Sequence, residues 1–174
     1  MDSKAADSLI VRVSKGDMAA LEQLYGEYAR AVYAYAMTIV KNSDAAEDIM
    51  QDVFVKIWRC AGDFKPQGLG KAWIMRIARN LSLNAVTRRR DDDSDEQLET
   101  MRAPDSPEDS VVGRVAVSEM LGSLTDEERQ IVTLRMSSDM TLAEISKVLG
   151  QPLGTVKWKH AEAMKKLRRF ADQM

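Results

Sequence analysis

The sequence holds one cysteine and one histidine among 174 residues, and this scarcity removes whole classes of chemistry. A single thiol cannot close an intrachain disulfide, and one Cys with one His cannot fill a four-coordinate zinc site. Cys60 reads as a half-buried residue at a helix end, far along the chain from His160, so no Cys/His nucleophile pair is expected. A glycine-rich phosphate loop is missing as well. The chain therefore does not read as an enzyme, and no catalytic residue, metal or cofactor is expected. No apolar run approaches the roughly 20 residues that span a bilayer, and the N-terminus lacks the apolar stretch of a signal peptide. A cytoplasmic protein without membrane insertion is the expectation.

Aromatics make up 6% of the chain, with only four prolines and nine glycines. Ala, Leu, Met, Glu, Lys and Arg abound, the residues that sit in a helix at least cost, so an all-α fold is predicted. The length suits one ordinary domain or two small ones. A net charge of −2 conceals strong segregation. Residues 71–90 carry six bases and no acid, residues 91–109 carry nine acids and one base, and residues 157–169 carry six bases and one acid. Two basic blocks around an acidic one point to two polyanion-binding surfaces joined by a repelling tether.

Hydrophobic spacing divides the chain further. Residues 5–15 form a short helix that stops near Gly16. Leu21, Leu24, Tyr28, Val32, Tyr35 and Ile39 recur at helical intervals in a second helix, closing around Lys41 and Asn42. Asp44 and Glu47 fit a capping box for a third, whose stripe is Ile49, Met50, Val53, Phe54 and Ile57. Gly62 and the sequence KPQGLG at 65–70 make an irregular loop before the first basic block. The predicted organisation is two small helical domains: one over 1–90, an acidic flexible linker over 91–112, and a second over 113–174.

Within 71–90 (KAWIMRIARNLSLNAVTRRR), Ile74, Ile77, Ala78, Leu81 and Ala85 form one apolar stripe. Trp73, Arg76, Asn80, Asn84 and Thr87 line up at spacings of three and four along the other side, beside Arg79. A ring for stacking, amides for hydrogen bonding and cations for phosphate are the equipment of a surface that holds unpaired bases. The plainer reading of the same residues is a solvated charged face.

In the second domain, Thr125-x-x-Glu128 and Thr141-x-x-Glu144 each fit a capping box. The first opens a helix carrying Ile131 and Leu134; the second opens one carrying Leu142, Ile145, Val148 and Leu149, ending at Gly150. Pro152 favours a sharp start for a last helix running to Phe170. Two helices across a glycine-containing turn, the second strongly basic, make a helix-turn-helix pattern. Leu153, Val156, His160, Ala163 and Leu167 share the inward stripe of the last helix, with His160 structural. Thr155, Lys157, Trp158, Lys159, Lys165 and Arg169 lie on its outer face and flanks and are the candidates for duplex DNA. Trp158 is a contact to DNA or to a partner.

These segments together resemble the group 4, or extracytoplasmic function (ECF), sigma factors of bacterial RNA polymerase, within the sigma-70 family. The run DAAEDIMQDVFVKIW at 44–58 looks like conserved region 2.2, and 64–90, with Ala72-Trp73 and IARN at 77–80, looks like regions 2.3 and 2.4. LTDEERQ at 124–130, LAEI at 142–145 and GTVK at 154–157 look like region 4. The resemblance implies a subunit that binds core polymerase and directs promoter-specific initiation, reading the −10 element as melted single strand and the −35 element as duplex. On it, Asp48, Gln51 and Asp52 meet the clamp helices of the β′ subunit, and the second domain meets the β flap. Trp73, Arg76, Arg79, Asn80 and Asn84 hold the −10 strand, with loop 65–70 taking an everted base. Thr155, Lys157, Trp158, Lys159, Lys165 and Arg169 meet the −35 duplex. An anti-sigma factor is the implied inhibitor.

Four positions depart from the family pattern. After GTVK the family continues with a small residue, Arg and Leu, where this chain has Trp158, Lys159 and His160; Glu162 stands where a base is common. The alternative class is a stand-alone helix-turn-helix regulator, which would need a ligand pocket or dimer seam in residues 1–90.

Overall fold

A computed structural model describes residues 2–91 and 120–172; beyond Asp91, the predicted acidic linker and the segment leading into the second domain lie outside the described residues. Among the described residues every regular element is helical. The first unit comprises α1 (Ser3–Val13), α2 (Met18–Val40), α3 (Ser43–Cys60), a short 3₁₀ turn (Ala61–Asp63) and α4 (Gly70–Asp91). The second comprises α5 (Asp126–Ser137), α6 (Leu142–Leu149) and α7 (Leu153–Ala171).

Side-chain caps set most helix starts. Asp2 accepts from the Ala5 N–H, so α1 begins two residues earlier than its apolar spacing indicates. Asp17 accepts from the Ala20 N–H and starts α2. For α3 the predicted Asp44/Glu47 box does not form; Asn42, in extended backbone, accepts from the Ala45 N–H at 2.8 Å, and Asp44 lies inside the first turn. An Asn there satisfies an orphan N–H as well as a Ser or Asp would. Both threonine boxes form as expected, Thr125 with Glu128 and Thr141 with Glu144. Gly150 ends α6 in the left-handed conformation (φ 66°), which glycine adopts without penalty.

The core runs along α2, which packs on α1, α3 and α4 and also on α5. Leu24, Val32 and Tyr35 of α2, Val53 and Ile57 of α3, and Ile74 and Ala78 of α4 are fully buried. Each aliphatic side chain of this kind contributes about 1.5–3 kcal/mol by leaving water. Ile131, Leu134 and Ile145 of the second unit belong to the same apolar cluster, while Leu124, Val132 and Ala163 form a smaller one.

The two units are therefore packed against one another, with α5 on α2 and α6 on α4. The sequence does not predict this packing. The reason lies in α4, which is enclosed by α1, α2, α3 and α6 together. Lys71, Ala72 and Met75 are buried there along with the expected stripe. In α7, Val156 and Ala163 are buried as the periodicity requires, His160 and Leu167 are half-buried, and Leu153 is exposed rather than inward.

Candidate nucleic-acid and polymerase interface

Three surfaces carry the candidate residues. The first is the outer face of α3, where Asp48, Gln51 and Asp52 are all exposed. Val55 and Trp58, 47% and 40% exposed, continue the same face at helical spacing. Apolar groups beside carboxylates make a surface suited to a partner that is both basic and apolar. The signal that the sequence offers for them is position: neither Val55 nor Trp58 belongs to the α3 stripe of Ile49, Val53 and Ile57.

The second surface is the row along α4. Trp73 is half-buried and tilts against Phe64, with ring centroids 5.1 Å apart, which ties the start of loop 65–70 to the helix. Asn80 and Asn84 are exposed. Arg76 is exposed at its edge, yet its Nη2 donates to the Lys147 carbonyl of α6 at 3.2 Å. Arg79 is half-buried with its Nε enclosed and lacking a hydrogen-bond partner. Its guanidinium neighbours the Tyr35 phenol, whose pKa burial pushes up while Arg79 pulls partly back. The Tyr35 hydroxyl donates to Gln130 Oε1 of α5 at 3.2 Å. In this arrangement the second unit engages Arg76, and only part of the row faces solvent.

Further links cross between the units. Lys71, buried in the first turn of α4, donates through Nζ to the carbonyls of Ser138 (3.3 Å) and Asp139 (3.2 Å) just beyond the end of α5. Lys41 pairs with Asp126 at 3.1 Å, and Ser3 donates to Glu144. Hydrogen bonding from Lys41 holds the Asp126 carboxyl below its ordinary pKa. Burial would raise Glu144, but the bonds from Ser3 and Thr141 and the charge of Lys71 outweigh it.

The third surface is α7. Trp158 is 63% exposed and Lys157 and Arg169 are exposed, while Thr155 is half-buried. Lys159 is different from the expectation. Its side chain is only 16% exposed, with Nζ 2.5 Å from Glu127 Oε2 and 3.0 Å from Gln151 Oε1, so it fastens α7 to the start of α5. Lys165 pairs with Glu162 one turn away at 2.6 Å. Lys166, a flanking base, bonds both oxygens of Glu128, the capping-box acid of α5. Of the candidates on α7, Lys157, Trp158, Lys165 and Arg169 are exposed, Lys165 beside Glu162.

Residues 24–91 match Sigma-70 region 2, and residues 120–169 match Sigma-70, region 4. The chain is 29% identical to the ECF RNA polymerase sigma factor SigK of Mycobacterium tuberculosis, across 98% of this chain and 95% of the relative. It is 30% identical to the ECF RNA polymerase sigma factor BldN of Streptomyces coelicolor, across 97% of this chain and 67% of the relative. In fold it matches CnrH, solved in complex with the cytosolic domain of CnrY (TM-score 0.72, 24% identity, 97% of this chain and 98% of that one). It also matches the sigma factor RpoE of Bartonella quintana, solved with the anti-sigma factor NepR (TM-score 0.72, 22% identity, 87% and 96%). A helical region 2 beside a region 4 helix-turn-helix defines a transcription initiation factor of the sigma-70 kind. The chain belongs to the ECF RNA polymerase sigma factors of that family.

Proposed function

We propose that this chain is a group 4 sigma factor that joins bacterial core RNA polymerase in the cytoplasm and directs it to promoters. The observation that carries the reading is that both sigma regions fall in order over one chain, each with an exposed polar helix face: α4 in region 2 and α7 in region 4. Region 2 occupies 1–90, an acidic linker 91–112 and region 4 113–174. Asp48, Gln51 and Asp52, joined by Val55 and Trp58, dock the β′ clamp helices, and region 4 takes the β flap. Trp73, Arg76, Arg79, Asn80 and Asn84 hold the −10 strand once it is melted; stacking a base on an aromatic supplies about 1–3 kcal/mol toward the cost of unstacking it. On α7, Thr155, Lys157, Trp158, Lys165 and Arg169 face the −35 duplex, and Lys159 supports the helix that carries them. Bond formation belongs to the polymerase, and the chain needs no active site of its own.

The closed packing of the two units is the resting form. Arg76 commits one of its N–H groups to the Lys147 carbonyl and α6 packs against α4, so full access to the α4 row requires region 4 to leave it. An anti-sigma factor that favours the closed form would keep the chain inactive; the similar fold of RpoE is solved with one, NepR. A stand-alone regulator is not favoured, because residues 24–91 match region 2 and not a sensing domain.

The test is transcription in vitro with purified core polymerase and a library of random promoters. The expected result is a small set of start sites sharing two spaced elements. Initiation without sequence preference would refute the reading.

A further inference from the structure

The N-terminal helix carries a buried carboxylate that none of the three surfaces uses. Asp7 of α1 is 6% exposed, and both its oxygens are occupied by backbone far along the chain. Oδ2 accepts from the Gly68 N–H and Oδ1 from the Gly70 N–H, each at 2.6 Å. Gly70 is the first residue of α4, and the Leu69 carbonyl accepts the Trp73 N–H as the first bond of that helix. Leu69 therefore stands where a capping side chain would be, and leucine has no acceptor to offer. Asp7 supplies the missing cap from another helix, placing negative charge at the positive end of α4.

A helix cap alone would need one of those bonds. The second reaches back into loop 65–70 and fixes Gly68, which sits at φ 72° in the left-handed region. The fit is tight: a Cβ on Gly70 would lie 2.7 Å from the Asp7 nitrogen and 2.8 Å from the Ala6 Cβ. At its other end the loop is held by the Phe64–Trp73 contact. The loop is thus pinned at both ends, by a ring pair and by one carboxylate. Between it and α1 lies an open cavity of about 580 Å³, bordered by Lys4, Ser8, Lys15, Gln67 and Gly68.

We propose that Asp7 is a positioning residue for promoter reading: by clamping Gly68 and Gly70 it sets the shape of loop 65–70 and so decides which base that loop accepts from the melted strand. The inference rests on the −10 reading above and deepens it. Asp7 touches no DNA. A short carboxylate holding two N–H groups two residues apart leaves the loop little freedom, and base selection by a loop depends on where its backbone groups stand.

The test uses the full-length chain with core polymerase and a promoter library randomised at both elements. Asp7→Asn keeps the size of the side chain but turns an amide NH₂ toward one of the two donors. The expected result is loss of base preference within the −10 element by roughly tenfold in selectivity, a difference of one decade in relative rate. Core affinity and −35 preference should stay within about twofold. Gly68→Ala, which strains the same loop while leaving the Asp7 side chain in place, should give the same selective loss, and it carries the test if Asp7→Asn fails to fold. Unchanged −10 preference in both variants would overturn the proposal, as would a parallel fall in both elements and in core affinity. A wild-type holoenzyme that selects no promoter would instead overturn the sigma reading itself.

Discussion

The buried ammonium of Lys71 caps a helix in the other half of the molecule: it lies 3.3 Å from the Ser138 carbonyl and 3.2 Å from that of Asp139, at the C-terminal end of α5. The unpaired carbonyls of a helix end carry partial negative charge, so a lysine placed there is favourable without a carboxylate partner. Because Lys71 opens α4 and Ser138 closes α5, this contact exists only while the two units are packed together.

Reversing that charge should open the molecule. Lys71→Glu sets a carboxylate against two carbonyl oxygens and near Glu144, all of one polarity. Small-angle scattering should show a larger radius of gyration than wild type, and binding of the free chain to single-stranded −10 oligonucleotide should tighten. An unchanged radius would mean that Lys71 does not hold the units together.

Acid should open it too. Asp126 is held below its ordinary pKa first by Lys41, and Glu144, despite burial, by Ser3 and Thr141. A carboxylate with a lowered pKa in the closed form stabilises that form above its ordinary value, near 4, and ceases to do so as pH falls through the lowered one. Scattering should therefore report one closed form from pH 8 to about 5 and expansion below about 4. Asp126→Asn should weaken this dependence. Expansion that begins near pH 6 would point away from these carboxylates.

The two lysines near the start of α7 should separate by assay. Lys159→Ala removes a tie to Glu127 and Gln151 and should lower stability by about 1 kcal/mol in urea melts. Lys157→Ala should leave stability alone and reduce the salt dependence of −35 binding by about one counterion. The reverse pattern would exchange their roles.

Glu128→Ala should be more damaging than either. It removes half of a capping box and leaves Lys166 without the carboxylate it bonds through both oxygens. The expected loss is about 2 kcal/mol, read as a lower urea midpoint. A loss below about 0.5 kcal/mol would show that water replaces these bonds without penalty.

How much was legible before the fold was known follows from what each residue depends on. The threonine boxes, the Gly150 stop and the stripe of Ile74 and Ala78 depend on neighbours within one turn, and these emerged as expected. The start of α3 went to Asn42 because two acceptors competed locally, and spacing alone does not rank them. Lys71, Met75 and Asp7 were illegible for another reason. Their burial comes from helices distant in sequence, so a lysine that reads as part of a DNA-binding block turns out to be enclosed by a second unit. The tie of Lys159 was illegible in the same way, since its partner Glu127 lies on a different helix.

The most direct measurement of promoter reading by α4 is permanganate reactivity of −10 thymines, taken with core polymerase affinity on the same preparations. Wild-type chain should open the −10 element only together with core; Asn80→Ala should lose opening and keep core affinity, and Asp52→Lys should lose core affinity itself. Opening by the isolated chain, or an Asn80→Ala holoenzyme that melts promoters as wild type does, would contradict the assignment of these surfaces.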